Sequence, residues 1–266
     1  MDTRFWGPSG WKILHLVAYG YPDKPSLKDK QNYGLFFNSL KYILPCKYCR
    51  ISLVKYYKQL PVEENLQSKE TLILWIYNIH NKVNNKLRKQ GLLKTSNPTK
   101  QEVDNIYKPL IEEPCQIPGW DFIYCMIFNF PKDKDNVSLD RLNGYITFFT
   151  YIGKVIPCNK YSTEFKKVIK LDPIENNFDS NKNLVNWLYR INCKIDTKIG
   201  NSQKSYKRIC SVYNSHKTKA CSKKNHKGKS TCRISNKKLS KRNKLMSRTN
   251  SINKFKIFIF SFYILY

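Results

Sequence analysis

Two cysteines three residues apart, Cys46 and Cys49, are the side chains of this chain best suited to redox chemistry. They follow Pro45, which we predict as the first residue of a helix, and three residues make nearly one turn, so the sulfurs can form a disulfide. Helix N–H groups stabilise a thiolate there, and Lys47 and Arg50 add positive charge. The alternatives are an incidental pair and half of a zinc site, but zinc needs two more ligands, and no second CxxC or HxxxH motif lies nearby. The spacing favours a redox-active pair.

A second polar group lies on a predicted long helix. His80 and Asn84 are one turn apart and share a face, and Asn81 lies next to His80. Beside an apolar stripe from Trp75 to Val83, such side chains can hydrogen-bond a bound heterocycle or ribose. A histidine satisfied within the core is the structural alternative, and these residues alone leave both interpretations open.

A third group stands at the start of the chain. Trp6, Gly7 and Pro8 are followed by Trp11 and His15, which are four residues apart and form an aromatic ledge on one helix face. Taken alone, this group is more typical of core packing than of a binding site.

The chain contains two copies of one unit. Residues 33–87 match residues 145–199 at a constant offset of 112, without a gap. The boundary is predicted near 112–118, where two prolines and a charge pair interrupt the pattern. The matched pairs include Phe36 with Phe148, Phe37 with Phe149, Pro45 with Pro157, Cys46 with Cys158, and Trp75 with Trp187.

Each copy is predicted to be helical. Ser26 and Ser68 are N-cap candidates, Asn97-Pro98 opens a further helix, and the apolar residues between them recur with a period of 3.6. No strand-like alternation and no glycine-rich turn after a strand is present. The sequence therefore predicts an all-α fold and excludes a Rossmann or thioredoxin-like sheet.

Taken together and in order, these three motif groups resemble the Erv/ALR family of FAD-linked sulfhydryl oxidases, and most closely its compact members from large DNA viruses. The resemblance covers about Trp6 to Leu110. It implies a helical bundle that holds FAD beside the CxxC pair, with Cys49 proximal to the flavin and Cys46 as the interchange cysteine. The residues it implies as FAD contacts are Trp6, Gly7, Trp11, His15, His80, Asn81, Val83, Asn84 and Lys86.

The resemblance also implies an activity. Thiols of substrate proteins reduce the Cys46–Cys49 disulfide by exchange, and the electrons pass through FAD to dioxygen, which gives hydrogen peroxide. Many family members carry a second, structural disulfide, but Tyr77 stands at its helix position here and Leu92–Lys100 holds no cysteine.

The second copy departs further from the family pattern. Tyr161 stands at the position of Cys49, Asn192 and Cys193 replace His80-Asn81, and Tyr124 replaces His15. We therefore predict an FAD-binding oxidase domain in residues 1–113 and a degenerate second bundle without flavin in 118–200. The family implies either a homodimer or a pseudo-dimer formed within one chain, and binding of the substrate protein is the alternative role for the second copy.

The C-terminal part is strongly basic, with 19 Lys and Arg and no Asp or Glu after residue 196. We predict a disordered, low-complexity tail over 201–256 and a short apolar segment over 257–266. This segment is too short to span a bilayer as a helix, but it could make weak membrane contact or pack against the body. A basic tail suits an acidic partner or an anionic membrane surface, and a merely solvated tail is the alternative.

Three tail cysteines, Cys210, Cys221 and Cys232, could relay electrons to Cys46 or bind a metal with nearby histidines. Their spacing fits neither role well, and the interpretation that they do neither is favoured. No other metal site is predicted. A non-enzymatic nucleic-acid-binding or metal-binding protein remains the competing function.

The N-terminal residues lack an apolar run behind a basic region, so no signal peptide is predicted. With the viral resemblance, this favours the host cytoplasm or the virion as the location.

Overall fold

A computed structural model describes residues 1–112, 119–132, 134–218 and 232–233. Within these ranges the chain forms ten α-helices, three short 3-10 turns and no strand, which confirms the all-α prediction. The helices are α1 (Thr3–Tyr19), α2 (Leu27–Ile43), α3 (Lys47–Gln59), α4 (Lys69–Lys89), α5 (Lys100–Glu112), α6 (Trp120–Phe128), α7 (Leu139–Val155), α8 (Asn159–Leu171), α9 (Asn181–Ile199) and α10 (Tyr206–Ser215).

Side-chain caps fix where the helices of the first copy begin. Ser26 and Ser68 each accept a backbone N–H from the third residue of α2 and α4, as predicted. The prediction for Pro45 was wrong by two residues, because Cys46 is the N-cap of α3 and Pro45 precedes it. The Cys46 sulfur accepts the N–H of Cys49 at 3.3 Å, so the redox pair itself caps the helix.

The two copies share a skeleton of buried aromatic residues. The Trp75 indole N–H donates to the carbonyl of Leu60 at 3.0 Å, and the Trp187 indole N–H donates to the equivalent carbonyl of Asp172 at 2.8 Å. Each indole also meets a phenylalanine edge-on. The residues that align between the copies therefore hold equivalent places in two bundles.

The duplication extends to a fifth helix that the sequence comparison did not find. Tyr107 on α5 stacks on His15 of α1 at 4.5 Å between ring centroids, and Tyr213 on α10 stacks on Tyr124 of α6 at 4.8 Å. Copy 1 thus comprises α1–α5 and copy 2 comprises α6–α10. The prediction of a disordered tail from residue 201 is wrong for Tyr206–Ser215, because the apolar residues of α10 bury against α6.

The copies pack through equivalent helices. The most extensive contact joins α2 to α7, and α1 packs on α6. Phe36 and Phe148, which are equivalent residues, stack on each other at 5.4 Å. A contact between equivalent residues is the mark of a two-fold relation, so the two bundles are arranged as a pseudo-symmetric pair.

Two equivalent glycines allow α1 and α6 to approach. A Cβ on Gly10 would lie 3.0 Å from the Phe122 ring, and a Cβ on Gly119 would lie 2.4 Å from the Ile13 side chain. Phe122 is the counterpart of Ile13, so in each copy the side chain at this position packs against the glycine of the other copy. Both sites need the absence of a side chain for close packing.

Several predicted features lie outside the described residues. They are the boundary residues 113–118, the cysteine at 221, most of the basic tail and the apolar segment 257–266. Among the helices that the structure describes, none combines the length and the hydropathy needed to cross a membrane.

Candidate active site

The two cysteines of the CxxC motif lie where α2 ends and α3 begins. Cys46 is completely buried, whereas Cys49 is half-buried and lines a groove between α1, α3 and α4. The two sulfurs are hydrogen-bonded to each other in the dithiol state. One cysteine therefore faces the groove, and the other lies behind it.

Hydrogen bonds make the two thiols unequal. Burial raises the pKa of Cys46, but the Cys49 thiol and the backbone N–H groups of Cys49 and Cys232 outweigh burial and lower that pKa to about 6. Donation to Cys46 and burial raise the pKa of Cys49 well above its usual range. The proton of the reduced pair is therefore held more tightly by Cys49 than by Cys46.

The positive charges near the pair come from two helices. Arg50 donates to the carbonyl of Leu44 at 2.6 Å, and Lys86 on α4 donates to Ser52 at 2.8 Å. Both charges act to lower the pKa of Cys49, against the larger effects of Cys46 and burial. Lys47, expected from sequence to act here, is exposed.

The groove beside Cys49 is lined mostly by apolar side chains with a few polar groups among them, which is typical of ligand sites. The polar and aromatic lining residues include Trp6, Trp11, Cys49, Ser52, Tyr57, His80, Asn84 and Lys86, and the apolar ones include Leu14, Leu40, Leu44, Leu53, Ile76, Ile79, Val83 and Leu87.

A pair of histidines connects α1 to α4. His15 Nε2 lies 3.1 Å from His80 Nδ1, and the Trp11 ring stacks on His80 at 3.8 Å. Burial, followed by the nearby His80 and Lys100, holds the pKa of His15 well below its ordinary value. Burial lowers the pKa of His80 to about 3. Both rings are therefore neutral at pH 7 and can share one N–H between them.

Two polar atoms at this site have unmet hydrogen-bonding capacity. Trp6 Nε1 and His15 Nδ1 are buried, and neither has a hydrogen-bond partner among the described residues. Buried polar atoms normally have a hydrogen-bond partner. Two that lack one fit a site in which a bound polar ligand supplies it.

The structure brings most of the predicted site residues together. The groove lining includes Cys49 and the predicted residues Trp6, Gly7, Trp11, His80, Val83, Asn84 and Lys86. His15 does not line the groove but lies against His80, and Asn81 does not line it either. Because successive helix residues point about 100° apart, Asn81 turns away when His80 faces the groove. The individual roles of these residues in cofactor binding remain predictions.

One lining residue belongs to the second copy. Phe122 on α6 reaches the groove and stacks on Trp6 at 5.7 Å. Sequence reasoning missed it because the family motifs lie within one copy, and the packing of α1 on α6 could not be read from them. The only available signal was its equivalence to Ile13 in the repeat.

The corresponding region of copy 2 is filled differently. Phe165, the counterpart of Leu53, stacks on Trp120 at 5.6 Å. The Tyr124 hydroxyl donates to Asn192 Oδ1 at 2.9 Å, and the Asn192 amide donates onward to Asp196 at 2.7 Å. In copy 2, the residues equivalent to the two histidines and Asn84 therefore form a chain of hydrogen bonds with one another.

The tail cysteines have different environments. Cys210 is a free, half-buried thiol on α10. Cys232 is disulfide-bonded and fully buried, and its carbonyl accepts the N–H of Thr3 at 2.9 Å. Cys158 is also disulfide-bonded. The described residues contain no cluster of three or more side chains able to hold a metal ion.

Comparison with known proteins bears on both copies. The model of the Erv1 / Alr family matches the chain twice, at residues 8–105 and 118–218. The second match ends beyond α10, in agreement with a fifth helix in copy 2.

Individual relatives match part of this chain at moderate identity. A protein named as a probable FAD-linked sulfhydryl oxidase of Acanthamoeba polyphaga mimivirus is 45% identical over 85 residues, which are 32% of this chain and 59% of that protein. The mitochondrial FAD-linked sulfhydryl oxidase of Saccharomyces cerevisiae is 38% identical over 88 residues, 33% of this chain and 46% of the yeast protein. The FAD-linked sulfhydryl oxidase of African swine fever virus is 31% identical over 118 residues, 44% of this chain and 92% of the viral protein. The match thus spans about half the length of the first two and nearly all of the third.

Proposed function

Since this chain belongs to the Erv1/Alr family, we propose that it is an FAD-dependent thiol oxidase that forms disulfide bonds in substrate proteins. One observation carries the proposal: a CxxC pair caps α3 so that Cys49 lines a groove together with aromatic and polar side chains of α1 and α4. A protein that only bound nucleic acid or metal through its basic tail would need neither the pair nor the groove.

The residues of the groove fit a flavin cofactor. Trp11 and His80 offer stacked aromatic faces, Asn84 and Lys86 offer polar groups, and the unpaired Trp6 Nε1 fits a ligand with hydrogen-bond acceptors. When bound, FAD would supply a two-electron redox centre that passes electrons from the cysteine pair to dioxygen, giving hydrogen peroxide. The neutral histidine pair would add hydrogen bonds to the site without adding charge.

The chemistry of the chain itself is thiol–disulfide exchange. A substrate thiolate attacks the Cys46 sulfur of the Cys46–Cys49 disulfide, the bond between the two breaks, and Cys49 leaves as a thiolate. A second substrate thiolate then attacks the substrate sulfur of this mixed disulfide and releases Cys46. The substrate gains one disulfide, and the pair gains two electrons.

The unequal thiols suit this sequence of steps. The low pKa of Cys46 makes it a good leaving group in the second exchange, because a stabilised thiolate leaves faster. The reduced pair then carries its proton on Cys49, next to the groove, where Lys86 and Arg50 stabilise the charge as that proton is lost.

Substitution of the cysteines tests the proposal. We expect Cys49→Ser and Cys46→Ser to abolish oxidation of dithiothreitol, as measured by oxygen consumption, while bound flavin persists in both. Cys193→Ser, which removes a free cysteine outside the site, is the control and should keep full activity. Turnover in either active-site variant at the wild-type rate would overturn the assignment, and so would purified protein without flavin absorbance.

Cofactor retention tests the groove. We expect His80→Ala and Asn84→Ala each to weaken flavin binding by ~1–3 kcal/mol, because a buried partner loses its hydrogen bond. Flavin content after gel filtration measures this. Asn85→Ala, on the exposed side of α4, is the matched control. Wild-type flavin content in both groove variants would contradict the proposed contacts.

For copy 2 we propose a structural role without flavin. Phe165 packs where Leu53 lines the groove of copy 1, and the residues around Tyr124 bond to one another. The packing of α2 on α7 and of α1 on α6 supports a pseudo-dimer within one chain. The flavin-to-protein ratio should be one per chain, and two would refute this role. A chain ending at residue 113 should self-associate, because it uncovers an apolar face that includes Phe36.

A contact of the basic tail with an acidic partner or an anionic membrane, and a location in the host cytoplasm or the virion, stay predictions. The high density of Lys and Arg after residue 196 supports the first, and the viral relatives support the second.

A further inference from the structure

The interchange cysteine is not accessible in this conformation. Cys46 has no exposed surface, although the proposed exchange requires an incoming thiolate to reach its sulfur. Part of its cover comes from the tail: the backbone N–H of Cys232 donates to the Cys46 sulfur. Cys232 is itself fully buried.

The tail is attached to the start of α1 at two places. The carbonyl of Cys232 accepts the N–H of Thr3 at 2.9 Å, and the carbonyl of His216 accepts the N–H of Asp2 at 3.0 Å. The His216 ring also stacks on Phe5 at 3.7 Å, with the rings 5° from parallel. Thr3 is the first residue of α1, whose N–H has no partner within the helix, so the tail satisfies a group that the helix leaves open.

We propose that the strap, residues Cys232 and Arg233, shields Cys46, and that substrate thiols reach Cys46 only while the strap is lifted from the start of α1. The consequence for catalysis rests on the proposed oxidase function, whereas the shielding itself does not. A hydrogen bond attaches the strap to α1, so we expect local opening at that point without global unfolding, within the reach that the disulfide of Cys232 allows. The strap would thereby slow the reaction of small thiols with Cys46 and favour a substrate able to displace it.

Thr3→Pro is the sharpest test. Proline is favoured at the first position of a helix, and Asp2 has the extended conformation (φ −69°, ψ 124°) that a residue before proline prefers. The substitution thus removes the N–H that binds the Cys232 carbonyl and preserves α1. In a Cys49→Ser background without reductant, Cys46 is a lone thiol and the disulfide of Cys232 stays closed.

The readout is the rate at which iodoacetamide alkylates Cys46, followed by peptide mass spectrometry on the full chain. We expect Cys46 to react slowly in the Cys49→Ser protein, and about fivefold faster once Thr3→Pro removes one hydrogen bond. His216→Ala, which removes the stack on Phe5, should also accelerate the reaction. The His216→Ala variant still tests the proposal if the Thr3→Pro variant fails to fold.

Controls are available within the chain. Leu27→Pro places proline at the first position of α2, where the side chain is 85% exposed, and should leave the rate unchanged. Buried Cys125 and half-buried Cys193 serve as slow and fast internal standards. The proposed shielding is overturned if Cys46 already reacts as fast as Cys193 in the Cys49→Ser protein. It is also overturned if neither Thr3→Pro nor His216→Ala changes the rate at Cys46.

The outcome separates the two proposals. Alkylation needs no flavin, so a protein without flavin or oxidase activity would refute the proposed function and still report on shielding. An active oxidase with a freely reactive Cys46 would refute only the strap.

Discussion

The two copies in this chain have nearly the same framework and different centres. Trp75 and Trp187 make the same hydrogen bond, and Phe36 stacks on its own counterpart Phe148. At the centre, Cys49 and Leu53 of copy 1 correspond to Tyr161 and Phe165 in copy 2. Both replacements are larger, and the cavity that copy 2 keeps at this place, lined by Trp120, Tyr124, Tyr161, Asn192 and Asp196, is more polar than the groove of copy 1.

The buried polar residues at the two centres also differ in whether their hydrogen-bonding groups are paired. His15 and His80 share a hydrogen bond and leave one buried nitrogen of His15 unpaired. At the equivalent positions, Tyr124 donates to Asn192. The comparison teaches that the two copies share an aromatic framework that holds the fold, whereas their centres differ in the size of the apolar residues and in whether the buried polar atoms are paired.

The largest effect is expected from the shared framework. Trp75→Ala and Trp187→Ala should each lower the free energy of unfolding by ~3–5 kcal/mol, because each indole is buried and its N–H is hydrogen-bonded. Denaturant unfolding of both variants measures this. Flavin content should fall in the Trp75 variant alone. Equal flavin loss in both would show that the copies are not distinct in function.

Leu53→Phe gives copy 1 the packing of copy 2. The larger ring should occupy groove space and reduce bound flavin strongly, with an overpacking cost of ~1–3 kcal/mol to the stability of the flavin-free protein. Absorbance at the flavin band measures the occupancy. The reciprocal Phe165→Leu should gain no flavin, because Tyr161 and Tyr124 remain. Undiminished flavin in the Leu53→Phe variant would refute the idea that the larger side chain at this position prevents flavin binding.

The contact between the copies can be perturbed at Gly20. A Cβ there would lie 2.3 Å from the Cβ of Pro157, so Gly20→Ala should destabilise the chain by ~1–3 kcal/mol. Gly34→Ala, which meets only the end of the Leu66 side chain at 3.2 Å, is the control and should be neutral or slightly stabilising. Equal stability of the two variants, measured by urea unfolding, would argue against a tight interface.

The smallest effect concerns pH. The pKa values of His15 and His80 lie below the unfolded value of about 6.5, so the unfolded chain binds protons first as the pH falls. Stability is therefore retained above pH 6.5 and lost below it, by about 1 kcal/mol between pH 7 and pH 6. The double variant His15→Tyr/His80→Asn, which copies Tyr124 and Asn192, should flatten this part of the profile of Tm against pH. An unchanged slope would contradict the assigned pKa directions.

Local patterns in the sequence were sufficient to predict much of the fold and the site. Caps at Ser26 and Ser68, the period of 3.6 and the CxxC spacing are properties of short segments, and the structure has them as predicted. The helix α10 was missed because its sequence is basic and shares little identity with α5. Ser205 caps its start, and the burial of Ile209 and Tyr213 against α6 stabilises it.

The sequence by itself determined the all-α class, the duplication, the reactive pair and most of the groove residues, because each depends on residue type and spacing along one helix or one repeat. Only the tertiary structure decided that Phe122 of copy 2 completes the groove of copy 1 and that Cys232 lies against Cys46. These contacts join residues more than a hundred positions apart. They depend on how the two bundles and the tail pack, which no local pattern encodes.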